Sequence, residues 1–494
     1  MPMTYDLDEN VEQILQTIGH NPDVICRDLV LAQTNIRATI LYIKYLINKD
    51  TLNNAVLKPL LEYPFPRELQ PEEIPDLLLM RVLQLGDIRV ASTHDECVDG
   101  ILSGNALLFV EGNNVCILLA INAAESRNIT EPITESVVRG SREGFVENLE
   151  TNLTLLRKQV KNPALTIVNY KIGRQTRRNL VVVYLRNIAN PSLIEEVKQR
   201  IERIDIDDAL ESGFIEQLIE DDHWSPFPQV QNTERPDKVI SAMLEGRVAI
   251  LLDGTPFSLL VPVTFNMLLQ SVDDYTERWY AATLIRIMRY GIIFLALFLP
   301  ALYIALVSYH QGLIPTKLAI SMTASREGVP FPTLIEALIM EVTIEILREA
   351  GIRLPKPIGQ AVGIVGGLVI GQSAVQAGIV SPIMVIVVAV TAISSFAIPQ
   401  YSGAIALRLL RFGLMFAAAL LGLYGVVLAF LLICGHMVSL KSFGVNYMGI
   451  FVMLKLGDLK DSIVKVPYFM MKTRPLLLKP LNKKRMSRNG EKKS

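Results

Sequence analysis

The stretch GILSGNALLFVEGNNVCILLAI (100–121) decides the fold of the first half of the chain, because a second copy follows it. It aligns without gaps on AMLEGRVAILLDGTPFSLLVPV (242–263), and the alignment places Gly104 on Gly246. Each copy has the pattern of a helix end, a strand, a tight turn that contains glycine, and a second strand. The pattern therefore predicts an α/β unit that is repeated along the chain.

The same offset relates a second, separate pair of segments. It places YIKYLIN (42–48) on YLRNIAN (184–190), where a strand ends and a helix begins. Two segments that share one offset favour a true repeat over chance similarity between two hairpins. We expect tandem cytoplasmic α/β subdomains with these limits: 1–24, an N-terminal extension; 25–127, the first subdomain; 128–164, a connector; 165–270, the second subdomain.

The composition predicts a membrane part beside this soluble part. Half of the 494 residues are hydrophobic and the mean hydropathy is +0.35, which is high for a soluble enzyme. The acidic N-terminus lacks the apolar region of a signal peptide. The four cysteines are far apart, so they predict neither a disulfide framework nor a zinc site and fit a reducing compartment.

Four uncharged stretches are candidates for membrane spans within a helical transmembrane domain, residues 271–440. They are residues 290–308, 361–380, 382–399 and 413–435. Basic residues precede the first span and fill the tail, residues 441–494, so both termini are predicted to be cytoplasmic. Arg408 and Arg411 disagree with four spans, which would put them on the outer side. Either they are paired there, or the acidic helix before them crosses the membrane and another segment is re-entrant.

The sequence lacks the motifs of the common catalytic sites. It contains no GxxxxGK[ST], HExxH or GxSxG pattern and no Cys/His metal spacing. We therefore predict that the protein is not an enzyme and needs no metal or cofactor. The basic tail lies beside a predicted span, which favours anionic lipid over nucleic acid as its partner.

The stretch EALIMEVTIEILREAG (336–351) places three carboxylates, Glu341, Glu345 and Glu349, on one stripe of a helix. A charge at the bilayer centre costs about 3 kcal/mol, so the stripe is not expected to face lipid. One interpretation is an interfacial helix whose carboxylates are in solvent or are paired with arginines. The other is a vestibule wall, where one glutamate per chain forms a ring that concentrates cations. The candidate arginines are Arg348, Arg353, Arg408 and Arg411.

The glycine-rich second span has two distinct faces. Its small-residue face is predicted to pack closely against a neighbouring helix and includes Gly363, Gly367 and Gly371. Its opposite face carries Val365, Leu368, Gln372 and Gln376. Glutamine side chains inside a membrane need hydrogen-bonding partners, which the water of a pore supplies. Val365 and Leu368 would then form a hydrophobic gate. The alternative is that both glutamines form hydrogen bonds within the helix bundle and the face is ordinary packing.

Five stretches carry a resemblance to a known family. TEPITESVVRG (130–140), SPFPQVQNTERPDK (225–238), DDYTERW (273–279), PFPTLIEALIMEVTIEILREAG (330–351) and GQAVGIVGGLVIGQ (359–372) resemble the A subunit of the GerA family of spore germinant receptors. The resemblance covers nearly the whole chain. It implies a location in the spore inner membrane and two partners, a transporter-like B subunit that binds the nutrient and a C-subunit lipoprotein. It also implies that A subunits form a ring and a nutrient-gated ion channel.

The function predicted on these grounds is a membrane subunit of a germinant receptor that forms a cation channel. One alternative is a non-conducting scaffold that relays the nutrient signal, and another is a germination-amplifying relative without a nutrient site. A secondary transporter is less favoured, because the membrane half shows no inverted repeat.

Overall fold

The structure is a computed structural model that describes residues 2–66, 70–122, 131–132, 134–355, 366–367, 369–453 and 460–486. It separates into two compact units. The α/β unit is drawn from residues 1–220, 230–262 and 472–494, and the helical unit from residues 221–229 and 263–471.

The first half of the α/β unit is a five-stranded antiparallel sheet with helices on both faces. Its strands are β1 (Val24–Val30), β2 (Arg37–Ile43), β3 (Ile88–Ala91), β4 (Ala106–Val110) and β5 (Cys116–Leu119), in the order β1-β2-β4-β5-β3. One face packs against α1 (Leu7–Ile18) and α2 (His94–Leu102). The other face is covered by short helical segments: Lys49–Thr51, Leu52–Leu57, Lys58–Glu62, Pro71–Glu73, Ile74–Leu77 and Leu78–Val82. Because neighbouring side chains of a strand point to opposite faces, β4 is buried at every position.

The second half repeats this architecture. Its strands are β6 (Leu165–Ile172), β7 (Arg178–Leu185), β8 (Gln231–Thr233), β9 (Val248–Leu252) and β10 (Ser258–Val261), in the order β6-β7-β9-β10-β8. Its helices are α3 (Leu149–Gln159), α4 (Pro191–Glu202), α5 (Ser212–Ile219) and α6 (Pro236–Glu245). The strand order is the same in both sheets, so the prediction of two tandem α/β subdomains is confirmed.

The repeat extends further than the sequence indicated. The offset that carries residue 100 onto 242 also carries the first residue of α1, Leu7, onto the first residue of α3, Leu149. Residues 1–24 and 128–164 thus contribute one helix each to the packed subdomains, rather than only an extension and a connector. Gly104 and Gly246 end equivalent helices with φ of 93° and 106°, a left-handed conformation that glycine adopts without strain.

Buried polar side chains join the two copies within the α/β unit. Asp23, just before β1, forms a bidentate ion pair with Arg157 of α3 at 2.9 and 3.0 Å. The Asn21 side chain donates to the Leu165 carbonyl and accepts from the Ile167 amide of β6. Both links bridge the first copy and the second, so the tandem subdomains are held together by buried polar contacts.

The predicted tail is divided between the two units. Residues 472–486 belong to the α/β unit, where the Leu481 amide donates to the Ile188 carbonyl at 2.9 Å and Leu478 is buried. Residues 441–471 belong to the helical unit. The short elements of this region are β11 (Lys441–Ser442), β12 (Val445–Asn446), the helix Gly449–Met453 and the 3₁₀ turns Tyr468–Met470 and Leu476–Leu478.

Among the described residues, the helical unit contains five longer helices around one apolar core. They are α7 (Trp279–Ser308), α8 (Thr316–Arg326), α9 (Thr333–Arg353), α10 (Pro382–Phe396) and α11 (Tyr401–Ser439). The shorter elements are Phe265–Leu269, Asp273–Thr276 and Gln311–Leu313, and residues 369–376 are also helical. The long helix α7 packs against both α10 and α11 and is the central element of the unit.

Two helices of the described chain, α7 and α11, are long and apolar enough to cross a membrane. Helix α10 is apolar but shorter, and the span predicted at 361–380 lies partly outside the described residues. Helix α11 is interrupted at Gly422, where φ is 61° and ψ is −141°. A Cβ atom at this position would lie 2.8 Å from the His310 ring, so the break and its close contact both require glycine.

Candidate functional site

The acidic stripe of α9 meets arginines of α11. The Glu341 carboxylate lies 2.9 Å from the Arg411 guanidinium, and both side chains are only 1% exposed. The sequence alone is compatible with a stripe that is paired with arginines and with one that forms an open acidic wall. The geometry of the single chain favours pairing for Glu341, because its ion pair is enclosed by protein.

One turn further along α9, Glu345 contacts three arginines. Its carboxylate lies 2.7 Å from Arg348, 3.0 Å from Arg408 and 3.3 Å from Arg411. The arginines that disagreed with four spans are therefore paired within the helical unit. Since Arg408 and Arg411 face protein carboxylates, they do not by themselves mark a water-exposed loop.

The third carboxylate of the stripe is in a different environment. Glu349 pairs with Arg353 of the same helix at 2.6 Å, and both side chains are mostly exposed. We call the set Glu341, Glu345, Glu349, Arg348, Arg353, Arg408 and Arg411 the α9–α11 ionic cluster. Three carboxylates face four guanidinium groups, so the cluster carries one excess positive charge when all are ionised. Within one chain the stripe is thus not an acidic wall.

The hydrogen bonds of this cluster are incomplete within one chain. Among the described residues, Oε1 of Glu341, Nε of Arg348, and Nε and Nη1 of Arg411 are buried and have no hydrogen-bond partner. A buried charged group without its hydrogen bonds destabilises the structure that contains it. The cluster therefore stabilises the helical unit less than a fully hydrogen-bonded cluster would.

A fourth carboxylate of α9, that of Glu336, was not predicted to have a role. Glu336 is fully buried, pairs with Arg326 of α8 at 2.7 Å and accepts from the Ser381 amide at 3.0 Å. Ser381 is the N-cap of α10, so this carboxylate also lies at the positive end of a helix dipole. The only sequence signal was a charged residue in an apolar helix, and the spacing of the stripe excluded it.

The predicted pore and packing residues are only partly described. Gly363, Val365 and Leu368 lie outside the described residues. Gln372 and Gln376 are exposed, and neither side chain forms a hydrogen bond with a described residue of the chain. The two amides therefore face away from the chain's own core.

The glycines of the small-residue face differ in their surroundings. A Cβ atom on Gly367 would meet no described atom within 4 Å, and one on Gly371 would be in ordinary contact with Val385. The tight position is Gly366, where a Cβ atom would lie 2.8 Å from the Leu347 side chain of α9. Within one chain, the close helix approach is thus at Gly366, and Gly367 is free for contact with another molecule.

A second ionic cluster lies at the start of α7. Arg286 pairs with Asp274 at 2.9 Å and with Asp461 at 2.7 Å, and Arg289 pairs with Asp274 at 2.7 Å. Lys465 is also buried here, and burial lowers the pKa of its amine. We call these five residues the α7 base cluster. From the sequence, these arginines were interpreted only as basic residues that flank the first span, because Asp461 is distant along the chain.

Neither cluster has the arrangement of a metal centre. Across the described ranges, no group of three or more His, Cys, Asp or Glu residues is placed to hold a metal ion. Both clusters instead consist of carboxylates paired with cationic side chains. Such clusters hold neighbouring helices together.

Fold and site together define a class: a tandem α/β unit joined to a helical unit that has ion-paired helices and two apolar helices of membrane-spanning length. The family model described as "Bacillus/Clostridium GerA spore germination protein" matches residues 12–477. The chain belongs to this family, and the family membership predicted from the sequence is confirmed.

Individual relatives agree with this assignment. The uncharacterized membrane protein YfkQ of Bacillus subtilis is 43% identical over 96% of this chain and 91% of its own. Spore germination protein A1 of the same organism is 44% identical over 93% of each chain. One solved structure is also similar to this chain, the crystal structure of the N-terminal domain of the A subunit of the Bacillus megaterium spore germinant receptor GerK3. The two sequences are 31% identical. The match covers 54% of this chain and 98% of that domain, with a TM-score of 0.43.

Proposed function

We propose that the protein is the A-type membrane subunit of a nutrient-sensing germinant receptor in the spore inner membrane, and that copies of it form a cation channel. Family membership supports the role in germination. The observation that carries the channel proposal is the exposure of Gln372 and Gln376 on a mostly apolar helical segment.

The two glutamines lie four residues apart, on the same side of the helix. An amide that faces lipid without a hydrogen-bond partner is costly, so this side needs water or a polar neighbour. A ring of copies supplies both, because the same side of each helix then lines a common aqueous passage. In this proposal Val365 and Leu368, on the same stripe, form a hydrophobic constriction that opens when it is wetted.

The α9–α11 ionic cluster has a supporting role in this proposal. Glu341 and Glu345 hold α9 against α11, since their carboxylates are already engaged by arginines. Glu349 is the member of the stripe whose carboxylate a passing cation reaches, because its side chain is 61% exposed. Gly367 and Gly371 would then contact the neighbouring copy, and Gly363 belongs to the same face.

The other parts of the receptor are proposed from the resemblance to the family. A transporter-like B subunit would bind the nutrient, and a C-subunit lipoprotein would complete the complex. The α/β unit and both termini would lie on the cytoplasmic side, and the α/β unit would carry the contacts that assemble the ring.

Ion flux distinguishes this function from a non-conducting scaffold. The full chain, co-purified with its partner subunits, is reconstituted into vesicles loaded with potassium, and efflux is followed. We expect Leu368→Ala to conduct without nutrient, because a smaller side chain removes the dewetting barrier. We expect the double variant Gln372→Leu, Gln376→Leu to lose flux while it still assembles.

Leu420→Ala on α11 is the matched control, because that leucine is 76% exposed and lies outside the proposed passage. Its flux should equal that of the wild-type chain. Absence of flux from an assembled wild-type complex, together with normal germination of spores that carry the glutamine double variant, would favour the scaffold.

A further inference from the structure

The first turns of α7 have an inverted burial pattern. Arg286 is buried, whereas Tyr280, Leu284, Ile287 and Met288 are each at least half exposed. A helix in water shows the reverse, with its charges outside and its apolar side chains inside. This strip of α7 is therefore suited to an apolar surrounding.

The arginines of α7 do not mark the end of the exposed apolar strip. The charge of Arg286 is neutralised by Asp274 and Asp461, and Arg289 bonds with Asp274 and with the Leu269 carbonyl. Because both guanidinium groups turn inward, the apolar strip continues past them to the start of the helix at Trp279. The 30 residues of α7 are about 45 Å long, which matches a bilayer together with its headgroup regions.

A segment from the end of the helical unit is fixed beside these turns. The Thr283 hydroxyl accepts from the Lys465 amide at 3.2 Å. Its oxygen also lies 3.1 Å from the Lys465 carbonyl, although the Trp279 carbonyl of the same helix is closer, at 2.7 Å. The Tyr275 hydroxyl donates to the Asp461 carboxylate at 2.9 Å. Residues 461–465 are thus held against the base of α7 by backbone and ionic contacts.

The outward face of the same segment is apolar. Ile463 and Val464 are partly exposed between the buried Ser462 and Lys465. Three residues further on, the 3₁₀ turn Tyr468–Met470 exposes all three of its side chains, with Phe469 at 68%. The Met470 amide donates to the Pro467 carbonyl at 2.9 Å, so the turn satisfies part of its own backbone, as an apolar boundary demands.

We propose that Trp279, Tyr280, Tyr468, Phe469 and Met470 form an interfacial anchor that lies in the headgroup region of the bilayer. Tryptophan and tyrosine prefer this boundary, because their rings are apolar and their polar atoms remain near water. The lipid bilayer is the occupant that the structure favours, since the exposed strip is continuous with a helix long enough to span it. The anchor rests on α7 crossing the membrane and does not require that the protein conduct ions.

Tryptophan fluorescence tests the anchor, because the chain contains only Trp224 and Trp279. Trp224→Phe leaves Trp279 as the single reporter in the full chain. The variant is reconstituted into phosphatidylcholine vesicles whose acyl chains are brominated near either the glycerol end or the methyl end. We expect a blue-shifted emission and a larger loss of fluorescence with bromine near the glycerol end.

A second reporter tests the C-terminal half of the anchor. In a chain without Trp224 and Trp279, Phe469→Trp should show the same preference for shallow bromine. Leu210→Trp in the same background is the control, because Leu210 is 61% exposed in the α/β unit and should be quenched by neither lipid.

Two results would overturn the anchor. Emission from residues 279 and 469 that neither lipid quenches would show that water or another protein covers these side chains. Stronger quenching by bromine near the methyl end would place them in the hydrocarbon core rather than at its boundary. In a chain that passes this test but shows no ion flux, the anchor stands and the channel proposal fails.

Discussion

The two units each contain an ion pair between side chains that are 1% exposed, yet the pairs differ in completeness. In the α/β unit, Asp23 and Arg157 form two hydrogen bonds, and only Nη1 of the arginine lacks a partner among the described residues. In the helical unit, one carboxylate oxygen of Glu341 contacts one nitrogen of Arg411. Three other buried polar atoms of these two side chains lack partners among the described residues.

The difference shows how far each buried ion pair satisfies its own hydrogen-bonding groups. A bidentate pair between two packed subdomains satisfies most of its own desolvation cost. A pair with several unsatisfied atoms retains more of that cost. The Asp23–Arg157 pair is thus expected to stabilise the α/β unit more than the Glu341–Arg411 pair stabilises the helical unit.

The largest effect is expected from breaking the pair in the α/β unit. Asp23→Ala leaves Arg157 as a buried charge without its counter-ion, and should lower the free energy of unfolding by about 3–5 kcal/mol. Thermal unfolding of the detergent-solubilised full chain measures the loss, and hydrogen exchange of β1 and α3 locates it. Asp8→Ala is the control, because its pair with Arg37 is exposed to solvent and should contribute little to stability. Equal effects of the two variants would remove the distinction drawn between buried and exposed pairs.

A smaller effect is expected from breaking the pair in the helical unit. Arg411→Met should destabilise the helical unit by about 1–3 kcal/mol, because Glu341 is then buried without a partner but loses fewer hydrogen bonds than Arg157 would. Adding Glu341→Gln should restore most of that loss, since it removes the unpaired charge. Thermal unfolding in detergent and the yield of assembled complex test both variants. If Arg411→Met costs more than Asp23→Ala, the helical pair is the better satisfied of the two.

An unpaired carboxylate of the α/β unit gives an effect that depends on pH. Burial, together with the neighbouring carboxylates of Glu220 and Glu211, raises the pKa of Glu216 in α5 from 4.5 to about 7. Because the folded-state pKa is raised, the contribution of this group to stability is complete below pH 4.5 and is lost as the pH rises through 7. Relative to the wild-type chain, Glu216→Gln should therefore be more stable at pH 8 than at pH 5.

The unfolding midpoints of the variant and the wild-type chain at these two pH values measure this difference. Glu202→Gln is the matched control, because Glu202 is exposed at the end of α4 and should show no such trend. A difference between Glu216→Gln and wild type that is the same at pH 5 and pH 8 would contradict the raised pKa.

The smallest effect on stability is expected at the exposed end of the acidic stripe. Glu349→Gln removes only an exposed pair with Arg353 on the same helix, which is worth about 0.3–0.5 kcal/mol. If Glu349 faces the conducting path, the same variant should nevertheless lower cation flux in reconstituted vesicles, and added salt should reduce that effect by screening the charge. Unchanged flux at low salt would place Glu349 away from the path.

The sequence by itself determined the features that depend on local pattern. One offset revealed two equivalent hairpins, because Gly104 and Gly246 are needed at matching helix ends and because alternating side chains mark the same strands. The long apolar stretches of α7 and α11 could also be predicted, since hydropathy depends only on the residues of the stretch itself. Periodicity likewise placed Glu341, Glu345 and Glu349 on a common stripe.

Only the tertiary structure decided what covers each of these faces. Helical spacing shows that two side chains share a face, but it does not show which distant segment packs there. Arg411 reaches Glu345 across 66 residues of sequence, and Asp461 reaches Arg286 across 175. The stripe was therefore readable as an acidic wall, and the arginines of α7 as flanking charges, until their partners were known. The burial of a charge is a property of the packed fold, because it depends on contacts between elements that the chain brings together only when it folds.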